Sequence, residues 1–226
     1  MFSLDGHPTD SRRTAHEYVR DSLRQAILRG TLTGGTRLVQ AELATELSVS
    51  TTPVREALRD LATEGLIILD AHRGAVVRTL TFEDLMEIRD LSKLLEPEAV
   101  RLATERLGDD PTCLDDCQKL ADAMTAETDI GAWTDLNRQF HAALVRCLDR
   151  NRLLNILKSL RDASAPYIGL ALQQRGYPLD LANEHHQQII EAMRAGDADQ
   201  AAAITSEHVD LAWRTLEEQR HLFSEA

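Results

Sequence analysis

The apolar spacing changes between Thr52 and Val77, and that change constrains the fold more than any other feature of the chain. Val54, Ala57, Leu58 and Leu61 recur at i, i+3, i+4 and i+7, so one face of a helix over about Thr52–Glu64 must turn inward. Gly65 stops it. Leu66-Ile67-Ile68-Leu69 then has strand character, Asp70 to Gly74 forms a turn, and Ala75-Val76-Val77 returns as a second strand. Ahead of this helix, Gln40–Leu47 reads as a short helix and Ser48-Val49-Ser50 as a tight turn. Two short helices across a tight turn, then a β-hairpin, are the parts of a winged helix-turn-helix. Upstream, Ala15, Val19, Leu23, Ala26 and Ile27 share one face of a helix that Gly30 caps. Thr31–Leu38, with Gly34-Gly35, reads as a loop, and residues 1–10 as a loose tail.

The outward face of the helix after Ser50 carries chemistry. Thr51, Thr52, Arg55 and Arg59 share it, and Pro53 suits a first turn, where its missing N–H costs nothing. Hydroxyls and free N–H groups at a helix start suit phosphate. An arginine one turn later can reach guanine O6 and N7 in the major groove. An ordinary surface helix with two arginines has the same composition, so this pattern alone leaves both readings open.

From Thr81 onward every periodic segment is helical. Helices are expected at about 82–107, 112–128, 131–149, 151–174, 180–195 and 197–221, with breaks at 108–111, 129–131, 150–151, 176–178 and Gly196. Thr81 is an N-cap candidate with Glu83 and Asp84 in the first turn, and Pro97 is expected to kink or split the first helix. The fold class is therefore mainly α: a winged helix-turn-helix over 11–79, with three helices and a β-hairpin wing, then an all-α antiparallel helical bundle over 80–222. An aromatic content of only 4% agrees with helices over sheets.

Charge divides at the same boundary. Residues 1–80 carry ten basic and ten acidic side chains, and all ten basic ones are Arg. Residues 81–226 carry fifteen basic against twenty-seven acidic and so hold the whole net charge of −12. The acidic half cannot be a general nucleic-acid surface. No apolar run approaches the ~20 residues needed to cross a bilayer, so a cytoplasmic protein is expected. Cys113, Cys117 and Cys147 are too few and too spread for a disulfide scaffold or a zinc site and read as reduced thiols.

Three histidines fall on inward helical stripes. His141 continues into Leu144, Val145 and Leu148; His186 aligns with Ile189, Ile190 and Met193; His208 sits between Ile204 and Leu211. His185 is then expected to face outward. Asn137 lies four residues before His141, on the same face. Three inward imidazoles can converge on a cation, or each can find its own hydrogen-bond partner in the core.

Ser50-Thr-Thr-Pro-Val-Arg-Glu-Ala-Leu58, followed by Leu61, Glu64-Gly65-Leu66 and the wing Arg73-Gly74, resembles the GntR family of bacterial regulators. The resemblance implies that Ser50, Thr51, Thr52 and Arg55 touch an operator and that Arg73 and Gly74 approach the minor groove. Thr51 stands where the family usually has Arg, and Ala41 lacks a basic side chain that some members carry. Binding as a homodimer to a palindromic double-stranded operator is expected, because one small helix specifies too few bases. Residues 83–215 resemble the FCD ligand-binding domain of the FadR-type subgroup. The landmarks are Arg89 with Glu96, Asn137-Arg-Gln-Phe-His141, Asn151, His186-Gln-Gln-Ile-Ile-Glu-Ala, and His208. That likeness implies a divalent metal, zinc or nickel, held by Asn137, His141, His186 and His208. It also implies a small carboxylate effector paired with Arg89. Asn in place of Asp makes the metal site less charged. From the residues alone, Arg89 could instead form an ion pair with Glu96.

Three functions are thus in view. The first is a ligand-responsive regulator, usually a repressor, of genes for an organic acid. The second is a metal-dependent enzyme with a fused DNA-binding domain, which would need a general base near the histidines. Glu184 and Glu207 flank His186 and His208, but at one or two residues' spacing they point 100–200° away on a helix. The third is a dimerisation domain with structural histidines.

Overall fold

Thr14 opens the first helix through reciprocal bonds. Its hydroxyl accepts from the Glu17 N–H at 3.2 Å, and the Glu17 carboxylate accepts from the Thr14 N–H at 2.9 Å. The helix is α1, Ala15–Leu28, and Val19, Leu23, Ala26, Ile27 and Leu28 are its buried residues. These positions come from a computed structural model, which describes residues 14–70, 74–79, 81–107, 114–173, 179–218 and 220. The chain divides into two compact units, Met1–Leu80 and Thr81–Ala226.

In the first unit, β1 (Arg37–Leu38) leads into α2 (Gln40–Glu46), and α3 (Thr51–Thr63) follows a turn in which Ser48 has φ +56°. The inward set Val54, Ala57, Leu58 and Leu61 is fully buried, as its spacing predicts. Gly65, at φ +78°, ends the turn after α3 in the left-handed region that a side chain would resist. β2 (Ile67–Asp70) and β3 (Gly74–Val77) then form the antiparallel hairpin.

The wing is a three-stranded sheet of order β1-β3-β2, not a bare hairpin. Part of the segment read as a loop supplies the third strand, with Arg37 opposite Val76 and Leu38 opposite Ala75. Two residues are too short for a period of two to be visible in sequence. The Gly35 N–H donates to the Val77 carbonyl and the Val77 N–H to the Thr36 carbonyl, both at 2.9 Å. Gly34 permits this approach, because a Cβ there would lie 2.8 Å from Thr79 Oγ1 and 3.2 Å from the Arg78 carbonyl oxygen.

The second unit is helical throughout its described residues: α4 (Phe82–Leu107), α5 (Asp115–Ala126), α6 (Ile130–Leu144), α7 (Asn151–Gln173), α8 (Leu179–Arg194) and α9 (Ala198–Glu218). The Thr81 hydroxyl accepts from the Asp84 N–H at 3.1 Å, which fulfils its N-cap role. α4 continues through Pro97 and is not split. The carbonyl left without a donor belongs to Lys93, one turn earlier on the exposed face, where water can serve it. α9 packs on α4 and α8, α6 on α5 and α7, and α5 on α8. Phe140, Leu144, Leu157, Ile189 and Ile190 lie at the centre of the core. Cys117 and Cys147 are in no disulfide; Cys113 and the expected breaks at 108–111 and 176–178 lie outside the described residues.

Candidate functional site

Each unit carries one constellation. In the first, Ser50 caps α3 without spending its hydroxyl on the helix, and no acidic residue sits in the first turn. The N-terminal partial charge of the helix is therefore open to an anion. Ser50, Thr51, Thr52, Arg55 and Arg59 are all exposed. Among the described residues, the side chains of Arg55 and Arg59 make no hydrogen bond or ion pair. Arg20 and Arg24 of the same unit are instead held by Asp21 at 3.0 Å and Glu64 at 3.5 Å. Two uncommitted guanidiniums therefore share the face with the helix start. Gly74 is exposed with φ +76°, where β3 begins. Arg73 lies outside the described residues.

In the second unit α6, α8 and α9 bring His141, His186 and His208 together. Their ligand nitrogens all lie within 4.8 Å of one another, and all three rings are buried. His208 Nε2 is 3.2 Å from His141 Nε2 and 3.3 Å from His186 Nε2. Two nitrogens each ~2.0–2.1 Å from one tetrahedral ion would stand about 3.3 Å apart. A neutral imidazole offers either one proton or one lone pair at Nε2. His208 therefore cannot make a full hydrogen bond to both neighbours, whereas a cation accepts all three lone pairs. Each ring is held neutral and so keeps one unprotonated nitrogen. Burial, then the His208 ring, holds His141 and His186 well below the ordinary histidine pKa, and burial with His185 nearby pushes His208 down to about 3.

A fourth donor is at hand. Asn137 Oδ1 is buried with no hydrogen-bond partner, and Asn137 lines the same cavity as His141 and His208. An orphaned carbonyl oxygen beside three neutral imidazoles fits a borderline cation that accepts nitrogen and oxygen ligands. Glu96 supports the set. Its Oε2 lies 4.0 Å from His141 Nδ1, on the side of the ring away from the cluster, and accepts from Arg161 Nη2 at 3.0 Å and Nε at 3.2 Å. At that distance the carboxylate acts on the ring as a nearby negative charge, which favours a bound cation.

Two expectations need correction. His185 does not face outward: it is buried at 9% exposure, its ring centroid 6.0 Å from that of His208. α8 is covered by α5 as well as α9, so its buried surface is wider than one stripe. Arg89 pairs with neither Glu96 nor the histidine cavity. It bonds to Asp90 at 2.9 Å and to Glu217, and Glu96 is taken by Arg161. Seven residues along a helix are two turns, about 10 Å, too far for an ion pair. Ser92, one turn from Glu96, occupies the cavity wall instead. Glu96, Arg161, Ser92 and Arg138 line the cavity without having been singled out as binding residues. The i, i+4 spacing of Ser92 and Glu96 was the available signal; nothing local marks Arg161.

The first unit matches the bacterial regulatory proteins of the gntR family over residues 15–77, and the second matches the FCD domain over residues 84–211. The chain is a GntR-family transcriptional regulator with a C-terminal FCD domain. This places it in the FadR-type subgroup of DNA-binding regulators with a ligand-binding domain, and not among enzymes. It is 31% identical over 199 residues to a protein of Paenarthrobacter nicotinovorans named "Probable D-xylose utilization operon transcriptional repressor", covering 88% of this chain and 87% of that one. It is 30% identical over 198 residues to the gluconate operon transcriptional repressor of Bacillus licheniformis, covering 84% and 79%. The solved structure of E. coli McbR/YncC shares the fold, with a TM-score of 0.78 at 24% identity over 92% of this chain and 99% of that one. No helix among the described residues is long and apolar enough to cross a membrane.

Proposed function

We propose that this GntR/FCD regulator is a homodimeric repressor of genes for uptake or breakdown of a small organic acid. In this reading Ser50, Thr51, Thr52, Arg55 and Arg59 meet the operator from α3, with Arg73 and Gly74 at the wing. The acid is sensed at a centre of zinc or nickel held by Asn137, His141, His186 and His208. The observation that carries this reading is the buried cluster of three neutral imidazoles, with the orphaned Asn137 oxygen and the Arg161 guanidinium in the cavity that His141 and His208 line.

A bound metal supplies a Lewis-acidic anchor for a carboxylate. The chain's own residues do the rest. Glu96 holds Arg161 in place through two hydrogen bonds and sets a carboxylate 4.0 Å from His141. Ser92 offers a hydroxyl from the cavity wall. The apolar residues around Phe140 keep bulk water from the imidazoles. A ligand bound here biases the DNA-binding units by its differential affinity for two arrangements of the dimer, typically about 1–3 kcal/mol. The names of the xylose and gluconate operon repressors support repression of a catabolic operon. The role of Arg89 as effector partner is not retained, because Arg89 is committed to Asp90 and Glu217.

The test is a selection of genomic DNA fragments by the purified protein at near-physiological salt, with metal content measured on the same preparation. A short palindrome beside genes for an organic acid, with one metal per chain, is the expected result. Sequence-independent retention alone, or protein that binds no metal when zinc or nickel is supplied, would overturn the reading.

A further inference from the structure

The cavity at the histidines is small, about 60 Å³. That is room for roughly four waters, enough for a carboxylate head but not for the body of a five- or six-carbon acid. A second, larger space of about 650 Å³ lies along α5, α6 and α7. Arg138 and Arg161 line both spaces and so form a common wall. An acid that runs from the cavity into the larger space passes these two guanidiniums.

The two arginines are not equivalent. Arg161 donates twice to Glu96 and is neutralised. Arg138 makes no hydrogen bond among the described residues. Its Nε is buried without a partner, and its nearest carboxylate oxygens, on Asp135 and Asp162, are both 3.9 Å away. Asp162 accepts from Lys158 at 2.9 Å through Oδ2, and its Oδ1 is the oxygen that faces Arg138. A guanidinium carries five donors and keeps its charge at any working pH, and leaving buried donors unmade costs free energy. The surroundings favour an anion as well. The larger space is lined by five cationic side chains against two carboxylates, within a unit of net charge −12.

We propose that the effector is a two-ended organic anion whose carboxylate head lies at the histidine cavity and whose second anionic group is held by Arg138 in the adjoining groove. A dicarboxylate or a phosphorylated sugar acid meets this description; a monocarboxylate with a neutral tail leaves Arg138 with two ion-pair contacts at 3.9 Å and no hydrogen bond. The inference rests on the acid-sensing reading above and narrows it to one ligand class.

The test is isothermal titration calorimetry on the metal-loaded, full-length protein with matched probes: 6-phosphogluconate against gluconate, and glutarate and adipate against pentanoate and hexanoate. At least one dianion is expected to bind tenfold or more tightly than its monoanionic match. Arg138→Gln should remove that preference while leaving metal content unchanged, and Arg138→Lys should restore part of it. Equal affinities within every pair, or a preference that survives in Arg138→Gln, would overturn the two-ended ligand while leaving an acid effector standing. If no acid of either kind binds protein with full metal content, the acid-sensing reading falls and this inference with it. Should Arg138→Gln fail to fold, the paired comparison on the unaltered protein still decides.

Discussion

Replacing Arg55 by alanine removes a side chain that is exposed and bonded to nothing among the described residues. Its loss should leave the fold within about ±0.5 kcal/mol of its original stability, the usual range for surface positions without special contacts. Its effect on DNA should be much larger. A bidentate arginine–guanine contact discriminates by about 1–3 kcal/mol, and a dimer on two half-sites makes it twice. The sum, about 2–6 kcal/mol, corresponds to a loss of specific affinity between roughly 30-fold and more than 10⁴-fold. The assay is fluorescence anisotropy with the selected operator and a scrambled duplex, each at several salt concentrations. The ratio of specific to non-specific affinity should collapse for Arg55→Ala, while melting temperature, dimer content and metal content stay as they were. If Arg55 instead contacts phosphate, both duplexes weaken together and the salt slope falls by about one per contact. Unchanged affinity for both duplexes would refute α3 as the DNA-contacting helix.

Three further outcomes follow from the packing. His186→Ala should abolish stoichiometric zinc or nickel uptake and the response to acid, whereas His185→Ala should keep the metal; loss of metal in both variants would remove the distinction between the two rings. Glu96→Gln withdraws the charge behind His141 and from Arg161, so metal affinity measured by competition with a chelator should fall about 10- to 100-fold. Unaltered affinity in that variant would mean that Glu96 only neutralises Arg161. Gly34→Ala places a Cβ 2.8 Å from Thr79 Oγ1 and should lower stability by about 1–3 kcal/mol in denaturant titration, the usual cost of overpacking; a neutral result would show that the β1 connection yields at no cost.

The sequence by itself determined whatever depends on neighbours along the chain. The inward set of α3, the capping of α1 and α4, the β2–β3 hairpin and the inward turn of His141, His186 and His208 all follow from spacings of two to four residues. Spacing of that kind says which side of an element is apolar, because side-chain direction repeats every 3.6 residues on a helix and every two on a strand. Tertiary structure decided what spacing does not encode. β1 is a strand only because Arg37 and Leu38 find β3, and the chain before Gly34 passes close enough to Thr79 to need glycine. His185 is buried because α8 is covered from two sides, and one stripe on one helix cannot reveal a second neighbour. Glu96 meets Arg161 and not Arg89, since a partner 65 residues away can sit nearer than one two turns along the same helix. Periodicity says that a side chain faces inward; which side chain it meets there depends on how the helices cross, and that is a property of the whole bundle.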